Sequence, residues 1–224
     1  MSGVALRELY RSVWPSVAAL PTDQGLSLPL FISSPETFAP SRLRLLVVGQ
    51  ETNTWYGLLG QDLGADPVAG VLARYTQFNL GHKYPSPFWD AVRKIRRLLG
   101  TPEEPAGLAW SNIYPCDQNA KRPREPFGRT LLDLRILPRE VKGLDPHAVV
   151  FFTGPDYDEA LLHLFPSARF ADAGIPKNLR VHRVEHPDLP VATFRTYHPN
   201  HLRRARKGAA VDTVAELIKA TFVT

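Results

Sequence analysis

The sequence predicts a three-layer α/β/α domain, with a parallel sheet covered by helices on both faces. Two observations carry this. Short apolar runs such as Leu45-Leu46-Val47-Val48 and Val149-Val150-Phe151-Phe152 read as strands buried on both faces. Between such runs lie segments with apolar residues at helical spacing, and strands alternating with helices argue for parallel pairing. At 224 residues, 44% hydrophobic and 22% charged, the chain has the length and composition of one soluble domain spanning 1–224. Residues 1–40 form a helical and Pro-rich extension packed on it.

The elements follow in order. A first helix is expected over Val4–Leu20, bent near Pro15. Four strands are expected at Arg44–Gly49, Leu108–Tyr114, Ala148–Gly154 and Val191–Tyr197. The segment Phe88–Leu99 places Phe88, Val92, Ile95 and Leu99 on one helical stripe and ends at Gly100. A Leu-rich helix is expected over Arg129–Leu137. Another over Pro155–Phe165 opens with Pro155 and Asp156, as helix starts do. The last, Ala209–Phe222, carries Val211, Val214, Leu217 and Ile218.

Several classes are excluded or disfavoured. No apolar run approaches the ~20 residues of a membrane span. The opening MSGVALRELYRSVW lacks the apolar core of a signal peptide, so a cytoplasmic protein is expected. With Cys116 as its single cysteine, one chain cannot hold a disulfide framework, an all-cysteine zinc site or a cysteine-ligated iron–sulfur cluster. His182-Arg183-Val184-Glu185-His186 fits an inverted zinc-protease pattern, which requires a helix. Its alternating apolar and polar residues predict a strand instead, placing the two histidines ~13 Å apart. No phosphate-loop, dinucleotide or serine-hydrolase motif occurs, and neither metal nor cofactor is expected.

Net charge is +5. The excess is clustered: Arg93, Lys94, Arg96 and Arg97; Lys121, Arg122 and Arg124; and Arg203, Arg204, Arg206 and Lys207. Any one cluster reads as a solvated face, but three near candidate site loops point to a polyanionic partner.

Each expected strand ends in polar residues that a core does not need. Gln50 and Glu51 follow the first, Asn112 interrupts the second, Thr153-Gly154-Pro155-Asp156-Tyr157 follows the third, and Tyr197-His198-Pro199-Asn200-His201-Leu202 follows the fourth. In open parallel sheets the ligand crevice lies at this edge. Singly, Glu51 reads as a surface carboxylate, Asn112 as a turn amide and His198 as a turn histidine. Together they place a carboxylate, an amide and an imidazole on one edge with a basic rim.

These motifs resemble the uracil-DNA glycosylase superfamily, over the chain from about Leu43 onward. Its best-known branch carries Gly-Gln-Asp-Pro-Tyr after the first strand, an asparagine in the second, and His-Pro-Ser-Pro-Leu after the fourth. Here these read Gly49-Gln50-Glu51-Thr52-Asn53, Asn112 and His198-Pro199-Asn200-His201-Leu202. The resemblance implies a four-stranded parallel sheet with DNA bound across the strand ends. It implies a monofunctional glycosylase of base-excision repair, acting as a monomer on DNA. Glu51 and His198 become the catalytic pair, and Gln50, Asn53, Phe78 and Asn112 the base pocket, with Trp55 and Tyr56 as alternatives to Phe78 for stacking. Leu202 becomes the wedge entering the duplex, and Arg203, Arg204, Arg206 and Lys207 hold phosphates; the alternative is that Leu202 starts the C-terminal helix and packs on the core while the arginines are solvated. Glutamate replaces the family's water-activating aspartate. Asn53 replaces the tyrosine that excludes the thymine methyl group, which opens the pocket to other deaminated bases such as hypoxanthine. The iron–sulfur branch needs four cysteines and is excluded. The alternative is a catalytically silent nucleic-acid-binding protein on the same scaffold.

Overall fold

The computed structural model describes residues 3–33, 36, 38–100 and 106–222; positions 34, 35 and 37 of the N-terminal extension fall outside them. Strand β1 (Arg44–Gly49) is an inner strand, and Leu45, Leu46, Val47 and Val48 are fully buried. Two-sided burial explains why the run is continuously apolar. It pairs in parallel with β2 (Gly107–Asn112) on one side and β3 (Ala148–Phe152) on the other. Beyond β3 lies β6 (Ala192–Thr196), also parallel.

The sheet has six strands, in the order β2-β1-β3-β6-β5-β4, where four were expected. The additional pair, β4 (Arg169–Asp172) and β5 (His182–Glu185), forms an antiparallel hairpin that joins β6 antiparallel. Its four-residue strands are mostly half-buried or exposed, so they lack the continuous apolar signal of the inner strands. The His182–Glu185 stretch is indeed strand, and His186 lies just past its end, with Nε2 3.0 Å from the Pro166 carbonyl oxygen.

Helices flank the sheet. The first, α1 (Gly3–Ala18), continues through Pro15. Next, α2 (Pro67–Phe78) starts at Asp66, whose side chain accepts from the Ala69 N–H, and stops at left-handed Asn79. The stripe of α3 (Pro87–Leu99) is capped by Ser86, which accepts from the Trp89 N–H. The expected Arg129–Leu137 helix is two helices, α4 (Phe127–Asp133) and α5 (Ile136–Leu144), broken where Arg135 turns left-handed at φ 49°. After β3 the chain makes a 3-10 turn at Pro155–Tyr157 before α6 (Asp158–Leu164). Short α7 (Pro199–Arg204) and α8 (Ala209–Phe222) end the chain. One set of helices packs α3 against α7 and α8; elsewhere α1 meets α5 and α2, and α4 meets α6.

The N-terminal extension is packed on the core, with Tyr10, Val17, Leu28, Phe31 and Ile32 buried. The Tyr10 hydroxyl accepts from the Ile32 N–H at 2.8 Å and donates to Glu140 of α5 at 2.7 Å. Ser111 of β2 donates to the other Glu140 oxygen at 2.5 Å. Glu140 is fully buried, and burial pushes its carboxyl up to about 7.

Candidate active site

Strand order places a crevice where β1 is followed on one side by β2 and on the other by β3, a topological switch point. A cavity of about 810 Å³ opens at these carboxyl ends. Gly49, the last residue of β1, pairs in register with Asn112, the last of β2. A Cβ at Gly49 would lie 2.4 Å from Asn112 Oδ1, so glycine is what permits this approach.

Asn112 forms part of the cavity wall and is buried. Its Oδ1 accepts from Trp110 Nε1 at 3.2 Å, while its Nδ2 is buried without a partner among the described residues. A buried unpaired donor is costly unless a ligand supplies an acceptor.

His198 lines the same cavity, its ring stacked on Phe88 at 5.7 Å. Its Nδ1 accepts from the Asn200 N–H at 3.3 Å, capping α7. Burial, helped by the Arg204 charge, pushes the imidazole down to about 4. The ring is therefore neutral at pH near 7, and an accepting Nδ1 leaves the hydrogen on Nε2.

Glu51 lines the cavity and is half-buried. The Tyr157 hydroxyl donates to its Oε2. Burial raises the carboxyl above its ordinary range; Tyr157 and Arg122 oppose that rise, and Asp117 adds to it. Gln50 turns toward β3, with Nε2 donating to the Thr153 carbonyl at 2.8 Å.

The loop after Glu51 is tied down from below. Thr52 Oγ1 and the Thr54 N–H both donate to Asp117 Oδ2, at 2.7 and 2.8 Å, and the Ala120 N–H donates to Oδ1 at 2.7 Å. Ser27 of the N-terminal extension hydrogen-bonds Thr52 and accepts from the Asp117 N–H. This anchor lets Thr54 and Tyr56 hold positive φ of 55° and 60°. Asn53 is exposed on the anchored loop and lines the cavity.

An aromatic cluster forms the remaining wall. Phe78 lines it, with Trp55, Trp89 and Trp110 at ring distances of 5.2, 5.3 and 5.8 Å. Tyr84, half exposed, stands at its lip. Arg74 of α2 also lines the cavity, its guanidinium 5.5 Å from the Tyr56 ring, and its buried Nε has no partner among the described residues.

The structure thus brings Glu51, Asn112 and His198 to one cavity, with Gln50, Asn53 and Phe78, and Arg203 at its edge. Leu202 is different. It is 2% exposed and packed in the core, so it is not available as a wedge. The side chain between it and Asn200, His201, is exposed instead and stacks on Tyr197 at 4.4 Å; Arg180 donates to the Tyr197 hydroxyl at 2.6 Å.

The basic clusters also divide. Lys94 pairs with Asp212, Arg93 with Asp90, and Arg96 donates to the Ala106 carbonyl, so much of the first cluster is structural. Arg203, Arg204 and Arg206 are exposed and form no ion pair with a carboxylate among the described residues. Among the described residues, no three His, Cys, Asp or Glu side chains converge as a metal site.

Residue-level reading missed Asp117, Ser27, Tyr157, Arg122 and Arg74. Asp156-Tyr157 was visible as a polar strand end, but nothing in the sequence joined it to Glu51. The class these observations define is an open, mostly parallel α/β protein with a mixed aromatic and polar cavity at its strand ends. No protein-family model matches the chain, and no curated protein matches it.

Proposed function

We propose that the protein is a monofunctional DNA glycosylase, hydrolysing the N-glycosidic bond of uracil or another deaminated base flipped out of DNA, in base-excision repair. The observation that carries this reading is one cavity holding a carboxylate, a neutral imidazole and a buried amide donor with no partner. Bond cleavage builds positive charge on the sugar and negative charge on the departing base. Glu51 stabilises the first and orients the attacking water. His198 Nε2–H donates to the base carbonyl where the second develops, and a preorganised donor of that kind is worth about 3–4 kcal/mol of barrier. Water supplies hydroxide to the sugar carbon and the proton that leaves with the base. Asn112 Nδ2 meets a base carbonyl, and Phe78 offers a stacking face worth ~1–3 kcal/mol.

The cavity volume, with Asn53 at its edge, supports admission of a deaminated purine as well as uracil. The silent, nucleic-acid-binding alternative draws on one observation, that Tyr157 already occupies one Glu51 oxygen. A panel of oligonucleotides bearing uracil, a thymine mismatch, hypoxanthine or xanthine, single- and double-stranded, separates the two. Base release from at least one supports the glycosylase. Binding to all with release from none supports the silent protein.

A further inference from the structure

The Glu51 carboxylate is gripped by a group from the neighbouring strand. Tyr157 ends the 3-10 turn after β3, next to β1 in the sheet, and its ring is 5% exposed. Gly154 at φ 74° starts that turn, and the Gly154 N–H donates to the Thr196 carbonyl at 3.0 Å, fixing the turn to β6. The ring leans edge-on against Tyr114 at 6.2 Å. Above it lies Arg122, with its guanidinium carbon 3.8 Å from the ring centroid and Nη2 donating to the Asp156 carbonyl at 2.8 Å. A cation on a phenol face makes its hydroxyl a stronger donor.

We propose that Tyr157, backed by Arg122, is the positioning residue of the Glu51 carboxylate, holding Oε2 so that Oε1 is presented to the attacking water. This rests on the glycosylase reading for its consequence in catalysis, but not for the interaction itself. A cavity wall disfavours a charged carboxylate. The groups acting on Glu51 are Tyr157 and Arg122, which favour the ionised form, its own backbone N–H, which does so weakly, and Asp117, which opposes it. Burial raises the Tyr157 hydroxyl, and the Glu51 charge beside it adds to that, so the phenol stays protonated and remains a donor. Arg122 is exposed on its far side, so solvent screens part of its contribution and the hydroxyl carries the larger share.

The test uses Tyr157→Phe, which keeps the ring under Arg122 but removes the donor, and Arg122→Gln, which removes the charge. Carboxyl ¹³C NMR titration of the full chain follows Glu51, assigned by the signal lost in Glu51→Gln. The expected midpoint rises by about one unit in Tyr157→Phe and by less in Arg122→Gln. In single-turnover excision at saturating enzyme, the Tyr157→Phe rate constant falls at pH 6 and at pH 8, and several-fold further at pH 6, because a raised carboxyl is protonated more on the acid side. A Glu51 midpoint unmoved in both variants overturns the proposal, as does an excision rate unchanged in Tyr157→Phe at both pH values. If the unmodified protein releases no base, the glycosylase reading fails on its own, and the titration still decides whether Tyr157 holds Glu51.

Discussion

Two glutamates, Glu51 and Glu140, sit in surroundings that treat the same carboxyl differently. Glu140 is fully enclosed between α1, α5 and β2, and its partners are two neutral hydroxyls, Tyr10 and Ser111. Glu51 is only half-buried, at the open end of β1, and it has both a phenol donor and a guanidinium within electrostatic reach. Burial raises both, but only Glu140 reaches about 7. The difference teaches that full burial outweighs even two hydroxyl donors and makes a carboxyl a protonatable strut, whereas partial burial opposed by a phenol donor and a nearby cation raises it less, beside a cavity. The first suits packing; the second suits chemistry on a developing cation.

The largest expected effect breaks the comparison on the functional side. Glu51→Gln keeps the shape but removes the charge, and single-turnover excision should fall by a factor on the order of 10²–10³, with DNA binding nearly intact. An unchanged rate would detach Glu51 from the chemistry. The next effect concerns packing at the same edge. Leu202→Ala should cost about 2–4 kcal/mol of stability, read as a lowered melting temperature, and impair single- and double-stranded substrates equally. Selective loss on duplex at unchanged stability would restore a wedge role that its burial argues against.

The third sharpens the contrast from the structural side. Because the folded Glu140 carboxyl titrates above its unfolded value, the folded state binds the extra proton. Stability is then fully present below about pH 4.5 and declines as pH rises through about 7, by roughly 3 kcal/mol. Glu140→Gln should flatten that decline in urea or thermal melts taken across this range, and a slope unchanged by the substitution would assign it to other groups. The smallest effect lies outside both carboxyls. Arg203→Ala and Arg206→Ala should weaken binding to all DNA sequences, each flattening the log–log salt dependence by roughly one unit. An unaltered salt slope would mean those arginines contact no phosphate.

The inner strands and the three strand-end groups were legible in the sequence because each depends on local pattern. A strand buried on both faces must be apolar throughout, so Leu45–Val48 and Val149–Phe152 stand out, and a polar residue just past such a run is conspicuous. That is how Glu51, Asn112 and His198 could be singled out before their cavity was seen. The β4–β5 hairpin was missed because short, half-exposed strands leave a weak periodicity. The break at Arg135 was hidden because Leu132, Leu134, Ile136 and Leu137 keep an apolar density that reads as one helix.

By itself, the sequence determined the α/β class, the parallel core and which residues end its strands, since burial selects side-chain type residue by residue. Only the tertiary structure decided which distant groups those residues would meet. Thr52 meets Asp117, 65 positions away, and Glu51 meets Tyr157, 106 away; these pairings follow from strand order, which sets β1 between β2, whose end leads to Asp117, and β3, whose end leads to Tyr157. Leu202 was decided in the same way. Its place after His198-Pro199-Asn200-His201 suggested exposure, but the turn of α7 directs it into the core and leaves His201 outside. A side chain's direction depends on the helix that carries it and on what that helix packs against, and neither is written in a five-residue motif.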